Sequence, residues 1–372
     1  MDQKRIPVCE PTLGPRELEY VTRAVSTGWI SSAGEFIPRF EETFSEKVGA
    51  REGIAVCNGT VGLHLGLKAL GIGGGDEVIL PSFTMVASAL AIQYCGATPV
   101  FIDSDPDTWT MDPAQLKAAL TPRTKAVMSV TIYGHPCDLD PIASFCRQHG
   151  LSWLEDAAEG HGALYQGKKL AALPDVTVYS FYANKIISTG EGGMVCTNRR
   201  ELADRCRSLK NLAFPLKGER RYHHEEVGFN YRMTNLQAAL GCAQTERFES
   251  LVEMRRQNAR RYSDRLRTLE DLIQLPVERE WARNCYWMYG IVLRPSYTKR
   301  TVSDAMALLK ERGIESRPFF SPMHTQPIFQ TGQSLPIAEH LGAKGLYLPS
   351  SSHLTESEID RIAATLRRVL TP

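Results

Sequence analysis

From about residue 50 to 210, short apolar runs rich in β-branched residues alternate with stretches of helical periodicity. This alternation constrains the fold more than any other feature of the chain. The runs are 53–57 (GIAVC), 77–80 (EVIL), 98–103 (TPVFID), 125–131 (KAVMSVT), 151–154 (LSWL) and 176–180 (VTVYS), with helix-like segments at 60–70, 85–94 and 142–149. A strand that is apolar throughout is buried on both faces. When a helix and another such strand follow through short connections, the result is a parallel sheet covered by helices. A further run, 193–197 (GMVCT), leads into a helix over 201–210. From Thr234 to about Leu269 the sequence reads as long helix, rich in Arg, Glu and Ala.

Beyond that helix the texture changes. Residues 285–293 are strand-like, 302–312 helical and 313–319 strand-like again. Thr355 and Glu358 form a capping box for a last helix whose apolar stripe is Ile359, Ile362, Ala363, Leu366 and Leu370. The expected fold class is therefore α/β, with a mostly parallel sheet in a large domain over 1–250 and a smaller C-terminal α+β domain over 251–372. A length of 372 residues accommodates two domains.

The charge balance excludes several partners. There are 43 Lys and Arg against 42 Asp and Glu, a formal net charge of +1, with the two signs interspersed. The strongest basic cluster, 217–221, includes Glu219 and is followed by Glu225 and Glu226. A nucleic-acid binder needs a basic face, so no nucleic acid is expected. Mean hydropathy is −0.23, and no apolar run approaches the roughly 20 residues that span a bilayer. The opening MDQKRIPVCE lacks the apolar core of a secretory signal. The expectation is a cytoplasmic protein without membrane contact, whose partners are small molecules or other subunits. The nine cysteines stand singly with no C-x-x-C pair, which suits reduced core thiols and not a disulfide framework or zinc site. No metal is expected either, because His223, His224, Glu225 and Glu226 are chain neighbours that do not converge on one point.

Two glycine-bearing segments differ in meaning. The cluster 71–76 (GIGGGD) follows a helix and precedes a strand, the reverse of a dinucleotide or phosphate-loop context, and reads as a turn. Asn58-Gly59-Thr60 lies at a strand-to-helix junction, where small residues offer backbone N–H groups and a hydroxyl to a phosphate, with Ser180 as a further hydroxyl. As a glycosylation sequon the same triplet is discounted in a chain with no secretion signal. Asp156 stands at the carboxyl end of a strand, where open α/β sheets bind ligands. Lys185 follows a buried-strand pattern and precedes Ile186 and Ile187, and an apolar setting lowers a lysine pKa and makes the amine a Schiff-base nucleophile. A phosphate cradle, an acid and a desolvated lysine are the contacts that pyridoxal 5'-phosphate requires.

The order and spacing of these motifs resemble the nucleotide-sugar aminotransferases of fold type I, the DegT/DnrJ/EryC1/StrS family. The residues are Cys57-Asn58-Gly59-Thr60, Glu155-Asp156-Ala157-Ala158-Glu159, Ser180 to Lys185, Gly190-Glu191-Gly192-Gly193, and 228–235 (GFNYRMTN). Within the family, 129–135 (SVTIYGH), Arg221-Tyr222 and 314–324 (IESRPFFSPMH) are most similar to the members that aminate C4 of GDP-4-keto-6-deoxy-mannose to perosamine. The resemblance implies an aspartate-aminotransferase-like fold and L-glutamate as amino donor. It also implies two half-reactions in ping-pong order, a deoxyamino sugar destined for polysaccharide such as O-antigen, and a homodimer whose active site is shared between subunits. Lys185 would be the Schiff-base lysine and the acid/base of the proton transfer. Asp156 would pair with the pyridine nitrogen, and Glu159 would meet the ring's 3-oxygen. Gly59, Thr60 and Ser180 would hold the phosphate, completed by Asn230 from the neighbouring subunit. Met85 stands where the family often has an aromatic residue stacked on the cofactor, so a thioether would pack there. Trp29, Arg232, Arg317 and His324 would serve the sugar nucleotide. A UDP- or dTDP-linked sugar, or amination at C3, is the alternative within the family. A nicotinamide-dependent oxidoreductase and a non-catalytic regulatory protein are the rivals outside it. The first lacks a glycine fingerprint in context, and against the second stand the intact Lys185, Asp156 and Ser180.

Overall fold

The computed structural model describes residues 4–215, 222–294 and 300–371. Two amphipathic helices, α1 (Pro15–Ser26) and α2 (Phe36–Val48), precede the first strand, β1 (Glu52–Val56). Then follow α3 (Gly59–Ala69), β2 (Glu77–Pro81), α4 (Val86–Tyr94), β3 (Thr98–Ile102), α5 (Leu116–Ala119), β4 (Thr124–Val130), α6 (Leu139–His149) and β5 (Ser152–Asp156). The short β6 (Leu164–Tyr165) and β7 (Lys168–Lys169) lead to β8 (Val176–Ser180), β9 (Gly193–Thr197) and α7 (Arg200–Lys210). These build a 7-stranded sheet in the order β1-β9-β8-β5-β4-β2-β3. β9 alone runs against the rest, because 181–192 returns the chain without a crossover helix. The alternating pattern anticipates the parallel strands, whereas nothing in the composition of 193–197 marks its reversed direction.

Glycine explains how α3 lies so close to the sheet. A Cβ on Gly62 would stand 2.8 Å from Val178 Cγ1, and one on Gly66 would stand 3.0 Å from Leu154 and Val176 side chains. The helix backbone therefore rests directly on β8 and β5, which brings its first turn over the carboxyl end of β8. Gly71 to Asp76 forms the turn into β2, where the Gly73 N–H donates to Asp76 Oδ2 at 2.9 Å.

The long helical stretch is two helices, α8 (Asn235–Glu246) and α9 (Phe248–Leu266), broken at Arg247. A Thr234–Gln237 capping box starts α8. Then come β10 (Ile273–Gln274), β11 (Ala282–Arg283), β12 (Tyr289–Leu293), α10 (Val302–Glu311), β13 (Arg317–Pro318), α11 (Pro336–Lys344), β14 (Gly345–Leu348) and α12 (Glu356–Leu370). A 4-stranded antiparallel sheet, β10-β12-β14-β13, carries this part, and β11-β6-β7 forms a 3-stranded one. The apolar core divides inside α9: Phe248, Leu251 and Val252 join the large core, while Ala259, Tyr262 and Leu266 join the second. Residue 250 thus lies within a continuous helix. The two parts are not consecutive along the chain, because Ile6 packs in the second core and Phe319, Met323 and Leu341 return to the first. No helix of the described residues is long and apolar enough to cross a membrane.

Candidate active site

A cleft of about 560 Å³ opens at the carboxyl ends of β1, β2, β4, β5 and β8. Its floor begins at the turn from β1 into α3. Asn58 caps α3, its side-chain oxygen accepting the Val61 N–H at 3.0 Å, and so is committed to the helix end. Gly59 is required by space: a Cβ there would stand 2.9 Å from Ser180 Cβ. The first N–H groups of α3, the Thr60 side chain and Ser180 therefore converge on one wall. Gly193 serves the same junction from β9, since its Cβ would meet the Asn58 carbonyl at 2.6 Å.

β5 and the turn after it supply the acids. Asp156, 4% exposed, accepts the Ser88 hydroxyl at 2.7 Å and the Ala158 N–H at 3.1 Å. Ser88 is in turn paired with Thr84 at 2.9 Å, so the loop after β2 and the first turn of α4 hold the carboxylate's orientation. Burial raises the Asp156 pKa, opposed by these hydrogen bonds and by Lys185. Glu159 accepts the Tyr133 N–H at 2.7 Å, and burial pushes its carboxyl up to about 7 against the pull of Lys185.

Lys185 stands opposite, at the end of a turn in which its N–H donates to the Tyr182 carbonyl at 2.8 Å. Its Nζ lies 3.6 Å from Glu159 Oε1 and 3.7 Å from the centroid of the Trp287 ring. Burial lowers its pKa, while Glu159 and Asp156 raise it. The loop is anchored behind by His161, whose Nδ1 accepts the Ile187 N–H at 3.3 Å and whose ring stacks against Tyr179 and Phe181. Burial holds that imidazole down to about 3, hence neutral.

The cleft thus gathers seven expected residues: Gly59, Thr60, Met85, Asp156, Glu159, Ser180 and Lys185. Met85 is 46% exposed and its sulfur accepts the Ala87 N–H, capping α4. The remaining candidates lie elsewhere. Asn230 is exposed and its backbone bridges to Asn211. Arg232 donates to Asn211 Oδ1 at 2.7 Å. Trp29, 59% exposed, borders a separate surface hollow with Gly34 and Asn235. Arg317 is exposed beside the rim, in register with the cleft residue Tyr347. His324 is 3% exposed and closed off from the cleft: Nδ1 pairs with Ser82 at 2.6 Å and Nε2 with Glu339 at 3.1 Å. Its motif resembles a substrate segment, yet its place is a buried tie between the loop after β2 and α11. The basic cluster 217–221, including Arg221, lies outside the described residues. Sequence reasoning missed Trp287, Phe320 and Tyr347, which reach the cleft from distant segments, and Ser88, which is buried behind Asp156; none carries a local signature. No group of three or more His, Cys, Asp or Glu among the described residues is placed to hold a metal.

These residues fit pyridoxal phosphate. The cradle at Gly59 leaves no room for a side chain, the Asn184 Oδ1 atom is buried at the cleft without a partner among the described residues, and the donor set combines one amine with two buried acids.

Residues 11–367 match the DegT/DnrJ/EryC1/StrS aminotransferase family. A GDP-perosamine synthase of Caulobacter vibrioides is 46% identical over 371 residues, 99% of each chain. One of Escherichia coli O157:H7 is 41% identical, covering 98% of each chain. Among solved structures, the aminotransferase TlmJ of Streptoalloteichus hindustanus superposes with a TM-score of 0.91 at 33% identity over 98% of each chain.

Proposed function

The chain belongs to the DegT/DnrJ/EryC1/StrS aminotransferase family, and from that premise we propose that it transfers an amino group from L-glutamate to C4 of GDP-4-keto-6-deoxy-mannose, forming GDP-perosamine. It is a pyridoxal-phosphate-dependent sugar aminotransferase of fold type I. The observation that carries the substrate is the likeness to two GDP-perosamine synthases across nearly the whole chain.

Each residue has a task its surroundings support. The α3 N-terminus, Thr60 and Ser180 bind the cofactor phosphate, the backbone being close because position 59 is glycine. Asp156, oriented by Ser88, would hold a proton on the pyridine nitrogen. Glu159 would meet the ring oxygen. Pyridoxal phosphate would supply an aldehyde carbon that carries the amino group between the two substrates, beside a ring that withdraws electrons. Lys185 binds the cofactor through Nζ and, when free, moves a proton at the substrate carbon. Its lowered pKa keeps the amine available for both tasks.

The active unit is a cytoplasmic homodimer with a shared site. Among the described residues lining the cleft, Lys185 is the one cation, against the three acids Asp156, Glu159 and Glu191. A cofactor phosphate and a nucleotide diphosphate need more positive charge than this wall offers. Asn230, Arg232, Trp29 and Arg317 from a second copy would supply contacts that they do not make to their own cleft.

The full-length protein reconstituted with pyridoxal phosphate is expected to show the visible band of a lysine-bound cofactor, to lose it on adding glutamate, and to aminate GDP-4-keto-6-deoxy-mannose in preference to UDP- and dTDP-linked keto sugars. Lys185→Ala removes both band and turnover. Wild-type protein that binds the cofactor yet shows neither response would sink the assignment.

A further inference from the structure

We propose that Trp287 is a positioning residue for Lys185: its indole face replaces water around the lysine amine whenever that amine is free, and its N–H fixes the peptide from which the lysine projects. Three observations converge on it. Nζ sits 3.7 Å from the ring centroid. The indole Nε1–H donates to the Asn184 carbonyl at 2.9 Å, immediately before Lys185. The ring is 3% exposed and is backed by Tyr133, 6.1 Å away at 19°.

Tyr133 unifies the arrangement. It adopts φ +50, a left-handed conformation uncommon for an aromatic residue. From there its N–H holds Glu159 at 2.7 Å while its ring supports Trp287. One strained residue thus sets both partners of Nζ, the carboxylate and the aromatic face.

The physical reason concerns balance. A buried ammonium with no partner would be driven to the neutral amine, and one trapped between two close carboxylates would stay charged. An aromatic quadrupole attracts the cation without adding a formal charge, so the amine stays poised between its two forms. The other groups facing Nζ are Asp156 at the end of β5, His161 from the segment after it, and Cys9 from the N-terminal segment. Arg255 of α9 donates to the Cys9 sulfur at 3.2 Å.

The proposal takes its catalytic meaning from the reading of Lys185 given above, but its test does not require turnover. In the full chain stripped of cofactor, reductive methylation of Lys185 is followed by peptide mass spectrometry as a function of pH. Trp287→Leu is expected to lower the midpoint by about one unit, while Trp287→Phe, which keeps an aromatic face and loses the N–H, shifts it by less than half as much. Biosynthetic fluorination of tryptophan weakens the quadrupole without changing the fold and lowers the midpoint stepwise with fluorine number. It decides the matter if Trp287→Leu fails to fold. An unchanged midpoint across the fluorinated series, or equal shifts in Trp287→Phe and Trp287→Leu, overturns the proposal. A normal titration in a protein that ignores glutamate would instead overturn the functional reading and leave this one standing.

Discussion

Glu155 and Asp156 are adjacent on β5, both buried, and yet belong to different regions of the molecule. The pleat sends them to opposite faces of the sheet. Asp156 faces the cleft, held by Ser88 and within the field of Lys185. Glu155 lies on the other face, accepting the hydroxyls of Ser129 and of Thr131 (2.6 Å for Thr131), with the Trp153 indole closing the network on Ser129 at 2.6 Å. Burial lifts the Glu155 carboxyl to about 7, the same value that Glu159 reaches inside the cleft. A raised carboxyl pKa therefore does not separate chemistry from packing. Access to the cleft and an amine across from it do.

The comparison breaks most visibly under substitution of the two acids. Asp156→Ala is expected to lower turnover about 10²–10³-fold, the usual scale for removing a placed electrostatic partner, while Glu155→Gln stays within about threefold. Steady-state amination of the keto-sugar nucleotide measures both, and equal losses would show that the back face matters to the reaction as much as the front.

A second difference concerns pH. The native state holds a proton on Glu155 up to about pH 7, whereas the unfolded chain releases it near its ordinary value of 4.5. Between those values the native state binds more protons than the unfolded one, so this group's contribution to stability falls as pH rises and levels off above about 7. Glu155→Gln should remove that slope, changing the pH 5 to pH 8 difference in urea stability by at most about 3 kcal/mol. If both proteins show the same difference, the carboxyl is ionised in the fold throughout.

The smallest effect sharpens the front face alone. Ser88→Ala deletes one hydroxyl donor to Asp156 and should weaken cofactor retention by about 1 kcal/mol, roughly fivefold in the dissociation constant. Equilibrium dialysis of the cofactor reads it. A null result would assign Asp156's orientation to the Ala158 N–H.

These two faces also show what the sequence could disclose. The parallel strands, the small-residue helix α3 and the αβ turn at Gly71 to Asp76 were legible, because period and punctuation are local properties. So were Asp156 and Ser180, each at the end of an apolar strand, and Lys185, a charge set between a buried-strand pattern and two isoleucines. α1 and α2 precede the alternating pattern and went unread, and the break at Arg247 has no glycine or proline to announce it. Trp287 and Ser88 escaped because their function lies in contacts across long sequence separations, and a tryptophan in a strand-like run reads as core. His324 shows the converse: a motif can resemble a substrate segment while packing turns the side chain inward.

The division of the core within α9 has a consequence for how the molecule comes apart. The same 19-residue helix contributes Phe248 to Val252 to one core and Ala259 to Leu266 to the other, and unravelling it exposes both at once. Segments from each end of the chain stitch the second core further, with Ile6 bridging to Ile314. The two parts are thereby expected to open as one cooperative unit. A protease cut near residue 250 would release no folded fragment, and heat or denaturant should meet a single transition spanning catalytic wall and C-terminal sheet alike.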